Sequence, residues 1–195
     1  LDFSTEKIYE KNYADTIRMK SQLVNRKYEA IVSGVKKDYS MELTTTGAGT
    51  YLKQLLHTED SVFSAPKNMG FLKLLFTLFE DDEFYIVDFF SGSASSADAV
   101  MHLNEEQNKK IHFIAVQLPE DLDYKFENAT GDDKKSAKIA ISFLDRQKRP
   151  HTLDYIGIER IIASSLKIKE DNPNTTTDLG FKHYTLAEVS QTTLD

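Results

Sequence analysis

Apolar side chains along this chain recur at two different periods, and the switch between them predicts an α/β organisation. Over 5–30, Ile8, Tyr9, Tyr13, Ile17, Leu23 and Val24 are loosely spaced as on a helix. Ile31-Val32 suits a strand, whereas Thr44-Thr45-Thr46-Gly47-Ala48-Gly49 reads as a turn or linker before a short helix over 50–56. Met69, Leu72, Leu75, Phe76 and Phe79 repeat at helical spacing. Pro66 stands just ahead of them, where a first-turn proline is tolerated, and Glu80-Asp81-Asp82-Glu83 closes the segment. Phe84–Phe89 has strand length and is rich in β-formers. Ser93–Ser96 offer N-caps for a helix through Ala97, Val100, Met101 and Leu103. After a polar break over 104–110, Ile111–Leu118 reads as a second buried-type strand, stopped by Pro119. Strand, tight turn, helix, strand implies two parallel strands joined by a crossover helix, hence a mostly parallel sheet with flanking helices. Residues 119–151 read as a polar excursion holding one amphipathic helix over 134–146. A helix over 153–169 carries Ile156, Ile161, Ile162, Leu166 and Ile168, and 180–186 reads as a third strand.

Composition narrows the class without changing that outline. With 195 residues, 40% hydrophobic and 28% charged, the chain has the makings of one globular core. No apolar run approaches the roughly 18–20 residues that span a bilayer, and no basic segment followed by an apolar block marks a secretory signal. The chain opens on Leu1 in a polar stretch, as expected of a piece of a longer protein. It contains no cysteine, which rules out disulfides and thiolate chemistry. The net charge of −7 argues against nucleic acid bound over the whole surface, yet the deficit lies entirely in 61–195. Residues 11–37 carry Lys11, Arg18, Lys20, Arg26, Lys27, Lys36 and Lys37 against only Asp15 and Glu29. From charge alone a solvated basic face is the simpler reading; Arg18, Lys20, Arg26, Lys27, Lys36 and Lys37 are the candidates for DNA phosphates. His57, His102, His112, His151 and His183 have no metal-ligand spacing, and the acids near 121–133 lack the pattern of a calcium loop.

The informative stretch is Asp88-Phe89-Phe90-Ser91-Gly92-Ser93-Ala94-Ser95-Ser96, a small-residue turn between a strand and a helix. Such a turn lets a nucleotide-type ligand approach the backbone closely. Charge separates the two ligand classes that use it. A dinucleotide brings a dianionic pyrophosphate and normally a Gly-x-Gly-x-x-Gly frame, in which only Gly92 stands here. A carboxylate such as Asp88 repels that group. S-adenosylmethionine carries an amino cation and a sulfonium, which suit an acid at the strand end and the aromatic faces of Phe89 and Phe90.

Ile86 to Val100 resembles the cofactor motif of type III DNA modification methyltransferases, written LDFFAGSGTTAHAV. Phe63-Ser64-Ala65-Pro66-Lys67-Asn68 resembles that family's FxxPKP segment, Phe113 to Glu120 its FILVQLPE strand, and Ile156 to Ile161 its IGKERI helix. The resemblance implies a partial, Rossmann-like, S-adenosylmethionine-dependent methyltransferase fold over 47–195, preceded by the helical or irregular end of a target-recognition region over 1–46. It also implies methyl transfer to adenine N6 in duplex DNA. Asp88, Phe89, Phe90, Ser91, Gly92, Ser93 and Ser95 fall on the cofactor turn, Pro66 and Lys67 on the segment that encloses the methionine end, and Gln117 where related enzymes bond the ribose. Its implied partners are DNA, a restriction subunit and a second modification subunit, in a bacterial cytoplasm. Ala94 replaces the second glycine of the motif, which places a methyl where backbone approach matters and predicts weaker cofactor binding.

The family's Asp-Pro-Pro-Tyr element, which receives the flipped adenine, has no counterpart, because Pro66, Pro119, Pro150 and Pro173 are all isolated. The piece is therefore expected to be inactive alone, with no catalytic residue assigned. Two rivals remain: a degenerate methyltransferase half that serves as an interaction module, and a nicotinamide-dependent oxidoreductase using the same corner.

Overall fold

The computed structural model describes residues 29–32, 35–38 and 45–186. Of the helix expected over 5–30, residues 5–28 lie outside the described residues, as do the candidates Arg18, Lys20, Arg26 and Lys27, while 29–30 belong instead to a strand. β1 (Glu29–Val32) pairs antiparallel with β2 (Val35–Asp38), which places Lys36 opposite Ile31 and Lys37 opposite Ala30.

Within the linker expected at 44–49, residues 45–49 are instead the first half of a helix, α1 (Thr45–Leu55). Glycine in a helix interior costs about 1 kcal/mol relative to alanine. Burial of Ala48, Leu52 and Leu55, spaced for one face, outweighs that local preference. α2 (Met69–Phe76) begins as its apolar spacing requires, with the Asn68 side chain accepting a hydrogen bond from Phe71 N at 3.0 Å.

β3 (Tyr85–Asp88) and β4 (His112–Ala115) form the expected parallel pair, with Tyr85 opposite His112 and Asp88 opposite Ala115. The crossover is α3 (Ser95–Gln107), buried on nearly every side along its first two turns. It runs through the polar break expected from 104, because Asn104 finds buried partners: it donates to Ile111 O at 2.8 Å and accepts from Ile111 N at 2.9 Å. Helix and strand are thereby locked in register. The strands are not the fully buried kind. Ile86 and Phe113 pack beneath the sheet with Phe76, Val100 and Leu103. Tyr85, Val87, Ile114 and Val116 are exposed on the other face, which no described residue covers.

The polar excursion contains two helices, α4 (Leu122–Asn128) and α5 (Gly131–Gln147). The Asp121 carboxylate caps α4 by accepting from Asp123 N and Tyr124 N, a start signal that outweighs the polarity of the segment. α6 (Leu153–Asp171) crosses behind α1 and α3. The third strand expected at 180–186 does not form. Phe181, Tyr184 and Leu186 do not alternate, and that stretch runs exposed after Leu179 inserts beside Met101 and Ile161. Among the described residues the architecture is α/β, a two-stranded parallel sheet with six helices and the antiparallel β1–β2 pair.

Candidate functional site: the turn between β3 and α3

β3 ends at Asp88, whose carboxylate closes the turn from both sides. Its Oδ1 accepts from Phe90 N at 3.1 Å and its Oδ2 from Ser96 Oγ at 2.6 Å, joining the strand tip to the first turn of α3. Ser91 N reaches Val116 O at 3.1 Å, and Ala94 N closes back on Ser91 O at 2.7 Å. Gly92 N donates to Gln117 Oε1 at 2.7 Å, and Gln117 Nε2 donates onward to Leu118 O at 3.1 Å. Four backbone amides of the turn, at Phe90, Ser91, Gly92 and Ala94, are thus satisfied within the protein. An anion cradle needs such groups unpaired.

The serines expected to cap α3 do not do so. Ala94 occupies the N-cap position with φ 55° and no side-chain cap, while the hydroxyls of Ser93, Ser95 and Ser96 are engaged elsewhere. Phe89 and Phe90 project from the turn, 67% and 90% exposed, and offer aromatic surface beside the Asp88 carboxylate. The Ala94 methyl is buried and faces α6: a Cβ built on Gly157 would lie 3.2 Å from it. The residue thought to hinder ligand approach turns its bulk inward.

Pro66 is buried and Lys67 exposed on the segment that leads from α1 to α2. That segment meets the turn through Phe63, whose ring packs against Gly92 so closely that a Cβ there would sit 3.0 Å from Cζ. Gly92 also has φ 52°, so both its conformation and its neighbour demand the missing side chain.

Beneath the turn lies a polar cluster that sequence reasoning did not assign. Arg160 and Asp98 have fully buried side chains, paired Nε to Oδ2 at 2.9 Å. Arg160 Nη1 donates to Ser95 Oγ at 2.7 Å and Ser93 Oγ at 3.2 Å, while Ser164 Oγ donates to Asp98 Oδ1 at 2.7 Å. Tyr51 of α1 donates to Asp98 Oδ1 at 3.2 Å, and burial, reinforced by the Asp98 charge, pushes its hydroxyl well above the ordinary phenol range. His102 stands 3.5 Å from the same carboxylate. Burial nevertheless lowers its pKa against the pull of Asp98, so at neutral pH it adds no cation. Arg160 is the charge that balances Asp98. The signal was visible in principle, because Arg160 and Ser164 follow Ile156 at four-residue steps on the apolar stripe of α6, where an ionisable group requires a partner.

No family model matches the chain. Over 136 residues, 70% of its length, it is 37% identical to the Mod subunit of the type III restriction-modification enzyme StyLTI of Salmonella typhimurium. Over 91 residues, 47% of its length, it is 34% identical to the Mod subunit of the type III restriction-modification enzyme EcoPI of Escherichia phage P1. The matched parts are 18% and 14% of those two proteins, so the chain spans less than a fifth of the length of either relative. By these matches its homologues are type III Mod subunits, and the chain resembles a part of one.

Proposed function

We propose that this chain is the cofactor-binding part of a site-specific DNA methyltransferase of the type III restriction-modification kind, built on a partial Rossmann-like fold. The ligand is S-adenosylmethionine, which supplies the methyl group on its sulfonium. In the whole protein the acceptor is adenine N6 in duplex DNA, the partners are a restriction subunit and a second Mod subunit, and the compartment is the bacterial cytoplasm. No described helix is long and apolar enough to cross a membrane. Residues 1–46 are assigned to the end of a target-recognition region and 47–195 to the cofactor region; the division falls in the first turn of α1.

The choice of ligand rests on one observation: the turn's amides are already paired internally, while a carboxylate and two exposed aromatic rings stand at its mouth. A pyrophosphate would meet Asp88 and few unpaired donors; a cationic ligand meets a counter-charge and π faces. On this reading Asp88 balances ligand charge while holding the turn closed, and Phe89 and Phe90 cover the ligand's apolar parts. The turn at Ser91, Gly92, Ser93 and Ser95 provides the floor. Pro66 and Lys67, on the segment anchored by Phe63, are assigned to enclosing the methionine end, and Gln117 braces Gly92 from the neighbouring strand tip. Arg18, Lys20, Arg26, Lys27, Lys36 and Lys37 are proposed to meet DNA phosphates. The piece alone is proposed to be inactive, for lack of a base-binding element.

Isothermal titration checks the assignment. The chain is expected to bind S-adenosylhomocysteine and not NAD, and Asp88→Asn to weaken that binding by about tenfold through loss of a charge-assisted contact. Heat with NAD alone would put the oxidoreductase reading in its place.

A further inference from the structure

Gly92 and Ala94 both sit in the left-handed region, with φ of 52° and 55°. For alanine such a conformation is strained, and strain persists where the surroundings over-determine it. Arg160 supplies that constraint. Its Nη1 grips the hydroxyls of Ser93 and Ser95, which flank Ala94, and its Nε pairs with Asp98 one turn into α3. Gly157, one turn earlier on α6, makes the close approach possible, since a Cβ there would lie 3.2 Å from both Ala94 Cβ and Gly92 O.

Stability alone does not account for this arrangement. A fully buried ion pair gives up its hydration and often contributes little net stability. Arg160 Nη2 also finds no hydrogen-bond partner among the described residues, which is a cost. What the guanidinium does accomplish is to tie Ser93 and Ser95, on either side of Ala94, to Asp98 in α3. We propose that Arg160 is a positioning residue for the cofactor turn. Held by Asp98, it locks Ser93-Ala94-Ser95 in the conformation that receives S-adenosylmethionine and does not touch the ligand. This inference rests on the function proposed above.

Two measurements on the 195-residue chain test it: amide hydrogen exchange over 91–98 without ligand, and titration with S-adenosylhomocysteine. Arg160→Lys keeps a charge near Asp98 but loses the forked reach to two serines, and Ser95→Ala removes one of those contacts. Ser164→Ala removes a contact to the Asp98 oxygen that Arg160 does not use. Exchange at 92–96 is expected to quicken about tenfold in R160K and S95A, because the turn opens locally. The Kd should weaken by about tenfold in both, since preorganisation is lost. S164A should melt lower yet stay within about twofold of the parent in exchange and affinity. Changes that follow melting temperature across all three variants would overturn the proposal and leave Arg160 a structural residue. Should R160K not fold, the contrast between S95A and S164A decides the same question. A parent chain that gives no heat with S-adenosylhomocysteine removes the ligand assignment, and the exchange comparison still decides whether Arg160 holds the turn.

Discussion

Ala94 concentrates the conflict at the smallest scale. A left-handed alanine costs about 1–2 kcal/mol, whereas its buried methyl gains about 0.8 kcal/mol by leaving water and packs against Gly157. The two nearly cancel. Ala94→Gly is therefore expected to change unfolding stability by about 1 kcal/mol or less in a denaturant titration. Because the methyl faces α6, the affinity for S-adenosylhomocysteine should stay within about twofold of the parent. A gain of about tenfold would mean that the methyl obstructs the ligand after all. The sequence exposes the substitution but not the direction in which its side chain points. That direction comes from a helix more than sixty residues away, so local pattern could not supply it.

At the scale of elements, the corner where α4, α5 and α6 meet carries a titrating tie. His151, just before α6, contacts Asp123 of α4 at 2.9 Å and Asp145 of α5 at 2.9 Å. Hydrogen bonds to Asp145 and then Asp123 raise its pKa above the ordinary imidazole value. A raised folded pKa stabilises the fold fully below the unfolded value of about 6.5, and that contribution disappears as pH rises through the folded value. His102 works in the opposite sense: its lowered pKa contributes above about 6.5 and is lost as pH falls through the folded value. Comparing the parent with His151→Gln cancels the His102 effect. Between about pH 6 and pH 8 the parent's melting temperature should fall relative to the variant's, and parallel curves would remove the tie. Elements with strong periodicity, α2, α3, β3, β4 and α6, were legible in the sequence to within a few residues. The first half of α1 and the whole of α4 were not, since Gly47 and Gly49 speak against the first and its burial is tertiary, while a single aspartate cap starts the second. In the site, Asp88 and Gly92 stood out through the turn's composition. The Arg160 cluster did not, because its members are scattered from 51 to 164 and meet only in space.

The whole molecule presents a parallel sheet with one face packed on α2 and α3 and one face bare among the described residues. Parallel sheets ordinarily have both faces covered, and two strands alone make a marginal sheet. Tyr85, Val87, Phe89, Ile114, Val116 and Leu118 form an exposed apolar surface along that face and the strand tips. The 195-residue chain is expected to enhance the fluorescence of an anilinonaphthalene sulfonate dye, and the double change Val87→Thr and Ile114→Thr to lower it about twofold. An unchanged signal would place the dye elsewhere. The Arg160 anchor also has a consequence in time. Asp98 and the turn emerge from a ribosome 62 residues before the guanidinium that pairs with that carboxylate, several seconds at roughly 5–20 residues per second. During that interval β3, the turn and α3 exist as nascent chain with an uncompensated acid in what will become the interior. The turn is consequently among the last parts of this region to mature, and a translational pause ahead of α6 would hold it open to chaperones and proteases.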